Sequence, residues 1–190
     1  MSGPENLRWE EVLAADQPRA ADYLAARSGL SGMQMKRLMQ AGGVWLFRPR
    51  QPGKRLRRAT AALCAGDRVQ VCFDPKLLAT RVPPATLLED AGCFSVWFKP
   101  AGMVSQGNEW GDHLSLLRQV ELHFAPRRPV FLIHRLDREA LGLMVVAHHR
   151  GAAADLSRQW QLRTTLKRYR ALVRGLPGSV QGEIRTALDG

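Results

Sequence analysis

The chain has 190 residues, 45% of them hydrophobic, enough for the core of one domain or two small ones and too many for a disordered chain. Its 28 Lys+Arg against 17 Asp+Glu give a net charge of +11 and a pI near 10.7, so a polyanion is the first partner to expect. Cys64, Cys72 and Cys93, with no CxxC pair, exclude a disulfide framework and a zinc knuckle, and no apolar run approaches the ~18 residues of a membrane span.

Read in chain order, residues 1–15 are expected to be an N-terminal extension. Asp16 before Gln17-Pro18 suits a helix cap, Tyr23 and Leu24 are apolar positions of the helix that follows, and Gly29 can end it in a left-handed conformation. Ser31 with Gln34 has capping-box spacing, Met35, Leu38 and Met39 recur at i, i+3 and i+4, and Gly42-Gly43 stops this second helix. Val44–Phe47 predicts a short strand, residues 48–58 a loop, and the alternating Arg68–Phe73 a second strand after the Gly66-Asp67 turn. Between Asp22 and Asp67 there is no acid, while Arg27, Lys36, Arg37, Arg48, Arg50, Lys54, Arg55, Arg57 and Arg58 all fall there.

This helix, helix, strand, basic loop, strand order resembles the S-four RNA-binding domain, with Ser31, Lys36, Arg37, Leu38, Gly43, Val44, Leu63, Gly66-Asp67, Val69 and Val71 where its pattern asks for them. The resemblance implies an RNA-binding domain over residues 16–74, with Lys36, Arg37, Arg48, Arg50, Lys54, Arg55, Arg57 and Arg58 as candidate phosphate contacts. Phe47-Arg48-Pro49 departs from the Asn-Gly-type turn more usual there.

Pro75, Pro83 and Pro84 disfavour helix in the residues before them, and residues 75–89 are expected to be a linker. Beyond it the pattern predicts a strand at Phe94–Phe98, a turn at Lys99–Gly102, a helix from about His113 to Phe124 capped by Asp112, and a strand at Val130–Ile133. Five successive apolar residues, Leu143–Ala147, suit a strand covered on both faces. A helix over Ala152–Leu162 and a strand near Tyr169–Val173 complete an α+β chain: a small N-terminal α/β domain, then a mixed, mostly antiparallel sheet with flanking helices over residues 90–190.

Chemistry concentrates in His134-Arg135-Leu136-Asp137-Arg138-Glu139, where one acid lies between two arginines at the junction of two apolar strands. A carboxylate beside cations stays ionised, which suits a nucleophile or electrostatic stabiliser; such a cluster in a loop is also a common solvated ion-pair network. The segment resembles the HRLD motif of RluA-type ribosomal large-subunit pseudouridine synthases. Phe98-Lys99-Pro100-Ala101-Gly102-Met103 resembles that family's KPAG turn, and Lys167–Gly175 its K-x-Y-x-A-x-V-x-G strand, in the same order.

The resemblance, from about Asp16 onward, implies that Asp137 is the catalytic aspartate, that Tyr169 stacks on a flipped base, and that Arg135 follows the flipped nucleotide into the RNA. It implies an RNA isomerase needing no cofactor, acting on structured ribosomal or transfer RNA; a monomer is expected, and the unpaired cysteines and lack of ligand spacing lead to the expectation of a cytoplasmic protein without a metal. Ala140-Leu141 replaces the family's usual Thr-Ser, removing two hydroxyls able to brace the loop. No counterpart of the later G-R-x-H-Q-[IL]-R-x-H stretch occurs in the residues up to Gly190, so a partial catalytic domain, with an open sheet edge and an exposed Asp137, is expected.

A non-catalytic RNA-binding protein is the alternative from another class; a DNA-binding module is weaker, because Ser31–Gln40 offers few side chains that read base edges. Adjacent His148 and His149 would point to opposite faces of a strand, so they are expected to be surface or core residues and not a metal pair. Trp97, Trp110 and Trp160 lie in or beside apolar stretches and are expected to pack in the core.

Overall fold

The computed structural model describes residues 6–175 and 181–183. The chain builds two four-stranded antiparallel sheets, each with helices against it. In the first, β1 (Leu7–Val12), β4 (Arg68–Phe73), β2 (Val44–Phe47) and β3 (Lys54–Arg55) lie in that order. The extension expected at residues 1–15 therefore contributes an edge strand. The alternation of half-buried Leu7, Trp9 and Glu11 with exposed residues matches a strand that covers one face only, with Trp9 opposite Val71.

Helices α1 (Ala20–Ser28) and α2 (Gly32–Ala41) follow the predicted apolar stripes: Leu24, Met35, Leu38 and Met39 are buried with Val44, Val69 and Val71 in one core. Ser31 and Gln34 form the expected capping box, and Gly29 and Gly42 close the two helices in left-handed conformations. Asp16 does not cap α1. Its carboxylate accepts from the Ala65 N–H at 2.8 Å, and Arg19 stands at the cap position, its side chain making no capping bond.

The expected linker is largely ordered structure. Asp74 accepts from the Lys76 and Leu77 N–H groups and caps a short helix α3 (Pro75–Ala79), in which Pro75 sits where its missing N–H costs nothing. Thr86–Asp90 forms β5, the first strand of the second sheet, whose order is β5, β6 (Phe94–Lys99), β8 (Gly142–Ala147), β7 (Phe131–Leu132). Helix α4 runs from Leu116 to His123, shorter than predicted, because the Ser115 hydroxyl accepts from the Arg118 N–H and is the cap. Asp112 is engaged elsewhere. Helix α5 spans Arg150–Gln161.

Trp97, Met103, Leu116, Val120, Met144 and Val146 form the second core. Of the three tryptophans expected inside, only Trp97 is fully buried; Trp110 and Trp160 are half-buried. The run Leu143–Ala147 is not covered on both faces, since Leu143 is 60% exposed while Met144 and Val146 are fully buried. His148 is a core residue: Ser95 bridges it, accepting from Trp97 Nε1–H and donating to His148 Nε2, while Nδ1–H donates to the Pro129 carbonyl. Adjacent His149 caps α5 by accepting from the Ala152 N–H. The strand expected near Tyr169–Val173 does not form. The segment pairs with no strand among the described residues and is exposed. Residues 184–190 of the terminal stretch lie outside the described residues. No helix among the described residues is long and apolar enough to cross a membrane.

Candidate active site

Strands β7 and β8 are antiparallel neighbours, and the chain between them, residues 133–141, leaves the sheet at the end where β6 also stops. Asp137 is carried on this loop. Its position is set from the turn after β6 by three groups. Ser105 Oγ donates to the Leu136 carbonyl (2.7 Å) and accepts from the Leu136 N–H (3.0 Å), so the residue before Asp137 is held at both its backbone groups. The Gly102 N–H donates to the Arg138 carbonyl at 2.7 Å, fixing the residue after it. Gly102 has φ +85°, a conformation that a side chain at this turn would strain.

The third group is Lys99. Its ammonium is fully buried and donates to the carbonyls of Met103 (2.7 Å), Ala140 (2.7 Å) and Pro100 (3.2 Å). All three ammonium hydrogens have acceptors, so the lysine ties the KPAG turn to the far end of the Asp137 loop. Burial pulls the ammonium below the usual lysine range, and the charges of Glu139 and Asp137 act against that shift. Ser105 and Lys99 do the bracing that hydroxyls at positions 140 and 141 would do. Sequence reasoning assigned a role to neither; the signal available was a polar residue flanking the KPAG turn.

His134 is the loop's fourth anchor. Its ring stacks on Trp160 with centroids 4.4 Å apart, and its Nε2 accepts from the Val145 N–H at 3.1 Å. A ring nitrogen that accepts a backbone N–H carries no proton, and burial holds the imidazole below its ordinary range, so His134 is neutral and structural.

Asp137 itself is exposed and opens on a cavity of about 320 Å³ lined by Ser105, Gln106, Arg135 and Arg138 among others. The alternative, an Arg-Asp-Arg ion-pair network, does not form: Arg138 turns to Glu139 at 2.8 Å, and Asp137 has no ion pair among the described residues. Arg135 is exposed at the rim, within reach of a phosphate or a base entering the cavity. Tyr169 is 73% exposed and does not line this cavity.

The basic block divides in two. Lys36, Arg37, Arg50, Lys54 and Arg58 are exposed. Arg55 and Arg57 are not: both pair with Asp112 of the loop before α4, with side chains 15%, 25% and 13% exposed. Arg55 also donates to the Gly42 and Asn108 carbonyls and lies 4.4 Å over the Trp45 ring, and Arg57 donates to the Gln40 carbonyl. Two further bonds complete the junction, the Asp112 N–H donating to the Ala41 carbonyl and the Trp45 indole N–H to the Glu109 backbone carbonyl. Close approach needs Gly42, where an added Cβ would stand 2.6 Å from Asp112 Oδ1. Arg48, one-third exposed, pairs with buried Asp67 at 3.3 Å. Three candidate phosphate-binding residues are thus engaged within the protein.

Residues 94–190 match the family described as RNA pseudouridylate synthase, just over half of the chain. The chain belongs to the RNA pseudouridylate synthase family. Over 179 residues it is 28% identical to an uncharacterized RNA pseudouridine synthase of Mycoplasma pneumoniae, covering 90% of this chain and 56% of that protein. An uncharacterized RNA pseudouridine synthase of Aquifex aeolicus is 29% identical over 191 residues, covering 94% and 58%. Ribosomal large subunit pseudouridine synthase D of Nitrosomonas europaea is 37% identical over 102 residues, covering 51% and 29%. The chain spans a little over half the length of the first two.

Proposed function

We propose that this chain is the part of an RNA pseudouridine synthase that presents the catalytic carboxylate, Asp137, to a uridine turned out of its stack. In the reaction the bond from N1 of uracil to C1′ breaks, the base rotates, and C5 bonds to C1′. The C5 proton leaves and N1 is protonated, so substrate and product are isomers. Glycosidic cleavage at a carboxylate needs positioned charge and no cofactor. A stacked uridine cannot offer its glycosidic bond and C5 together, which is why the base must be extruded. Asp137 is the nucleophile or base, and Arg135 enters the space the flipped nucleotide leaves.

The observation that supports this reading most is the contrast within one loop: the backbone on both sides of Asp137 is held by Ser105, Gly102 and Lys99, while its carboxylate is exposed and has no ion pair among the described residues. A merely structural aspartate would use its oxygens. Residues 16–74 act as an S-four-like RNA-binding domain through Lys36, Arg37, Arg50, Lys54 and Arg58, and the substrate is structured ribosomal or transfer RNA, in keeping with the Nitrosomonas relative's name. Tyr169 acts as the stacking residue only if its segment closes over the cavity on RNA binding.

Pseudouridine mapping of RNA from a strain carrying Asp137→Asn in the full-length gene product tests the assignment. Loss of one modification with RNA binding retained is expected. Persistent modification would leave the chain an RNA-binding protein.

A further inference from the structure

A second cavity, about 520 Å³ and larger than that of Asp137, lies directly beside it. The segment Gln106–Asn108 and the side chains of Val104 and Arg138 are common to both walls, so the two spaces are separated by one stretch of chain. Its opposite wall comes from Leu77 and Thr80–Val82, the turn that follows α3. Such a volume falls within the roughly 300–1,000 Å³ usual for small-ligand sites.

Three kinds of group line it. Val82, Val104 and Leu114 make an apolar surface against which the face of a base can pack. The Gln106 amide and the Asn108 amide nitrogen have no hydrogen-bond partner among the described residues, so both can pair with a base edge. Arg81, exposed at the mouth, touches only backbone carbonyls of residues 78–80 and has no carboxylate partner among the described residues.

Apolar wall, amides and an unpaired cation at the rim together suit a nucleotide: base against the valines, edge to the amides, phosphate at Arg81. Resting on the pseudouridine reading of the neighbouring cavity, we propose that this cavity is a second nucleotide subsite. It takes the base of the residue next to the target uridine, and so contributes sequence selection from the catalytic side of the molecule.

The test uses the full chain and a short single-stranded RNA with one central uridine among adenosines, with binding read by fluorescence anisotropy. Versions abasic at the position 5′ or 3′ to the uridine remove the base in question. One of the two flanks is expected to cost about tenfold in affinity, the scale of one stacked base. Thr80→Trp, which fills the cavity from an exposed position outside the Asp137 pocket, should weaken the intact RNA about tenfold and leave the abasic one unchanged. Arg81→Ala should weaken both by a similar, smaller factor. Equal affinity of the wild-type chain for intact and both abasic RNAs would overturn the proposal, even if the tryptophan variant failed to fold. Equal weakening of intact and abasic RNA by a folded Thr80→Trp would do so too. The reading of Asp137 fails separately, if cytidine in place of the central uridine binds equally well and Asp137→Asn leaves modification intact.

Discussion

Two clusters of one aspartate and two arginines stand in this chain, and they are put to opposite use. Arg135, Asp137 and Arg138 are neighbours in sequence, yet Arg138 pairs with Glu139 and Asp137 has no ion pair among the described residues. Asp112 stands more than fifty positions from Arg55 and Arg57, yet the three form a half-buried double ion pair between the two sheets' loops. Sequence adjacency gives side chains little reason to pair when the backbone points them apart into water. Pairing follows where other bonds have already brought the elements together, as Ala41 and Gly42 do with Asp112. A carboxylate fixed through its neighbours' backbone keeps its own oxygens for a substrate.

The widest separation between the two aspartates should appear on exchanging each for its amide. Asp137→Asn in the full-length form should reduce pseudouridine formation by on the order of 10³-fold or more, with an unfolding temperature unchanged within about 1 °C, because an exposed unpaired side chain contributes little to the fold. Asp112→Asn should do the reverse, lowering stability by about 2 kcal/mol as two half-buried guanidinium groups lose their counter-ion. Equal effects of the two variants on thermal unfolding would erase the distinction.

Lys99→Met probes the backbone clamp directly. Three carbonyls lose their donor, and stability should fall by about 3 kcal/mol in urea unfolding. Activity of the folded fraction should fall as well, since Ala140 is no longer tied to the turn. Ser105→Ala, which removes two bonds to Leu136, should cost about 1–2 kcal/mol by the same assay. Full activity of either variant would show that the loop is positioned by something else.

The two halves of the basic block sharpen the comparison further. Lys36→Ala with Arg37→Ala should make RNA binding less sensitive to salt, the log–log slope shrinking by about 0.7 for each phosphate no longer neutralised, and should leave the melting temperature alone. Arg55→Ala with Arg57→Ala should lower the melting temperature and change the slope little. The reverse pattern would return these arginines to the RNA surface.

The smallest effect is that of acid. Burial holds His113 and His134 below the ordinary histidine value near 6.5, so below about pH 6.5 the unfolded chain binds protons that the folded chain does not. Stability should therefore decline as pH falls from about 6.5, and His134→Gln should flatten part of that decline in melting curves. A rise in stability over the same range would contradict neutral, buried rings.

What the sequence determined by itself are the features whose causes are local. The capping box at Ser31, the left-handed stops at Gly29 and Gly42, the apolar stripes of α1 and α2 and the strands β2, β4, β6 and β8 follow from spacing over a few residues, as does the family motif around Asp137. Misreadings fell where a partner distant in the chain decided. Leu7–Val12 becomes a strand because β4 offers it an edge, and Tyr169–Val173, with as good an alternation, pairs with no strand among the described residues. Asp16 and Asp112 look like helix caps, but a better-placed backbone N–H and two guanidinium groups claim them. Lys99 reads as a turn residue, and only the approach of Ala140 across β6 and β8 makes it the tie that holds the Asp137 loop. Hydrogen bonds and ion pairs between remote residues depend on which backbones tertiary packing brings within about 3 Å, and local spacing carries no record of that.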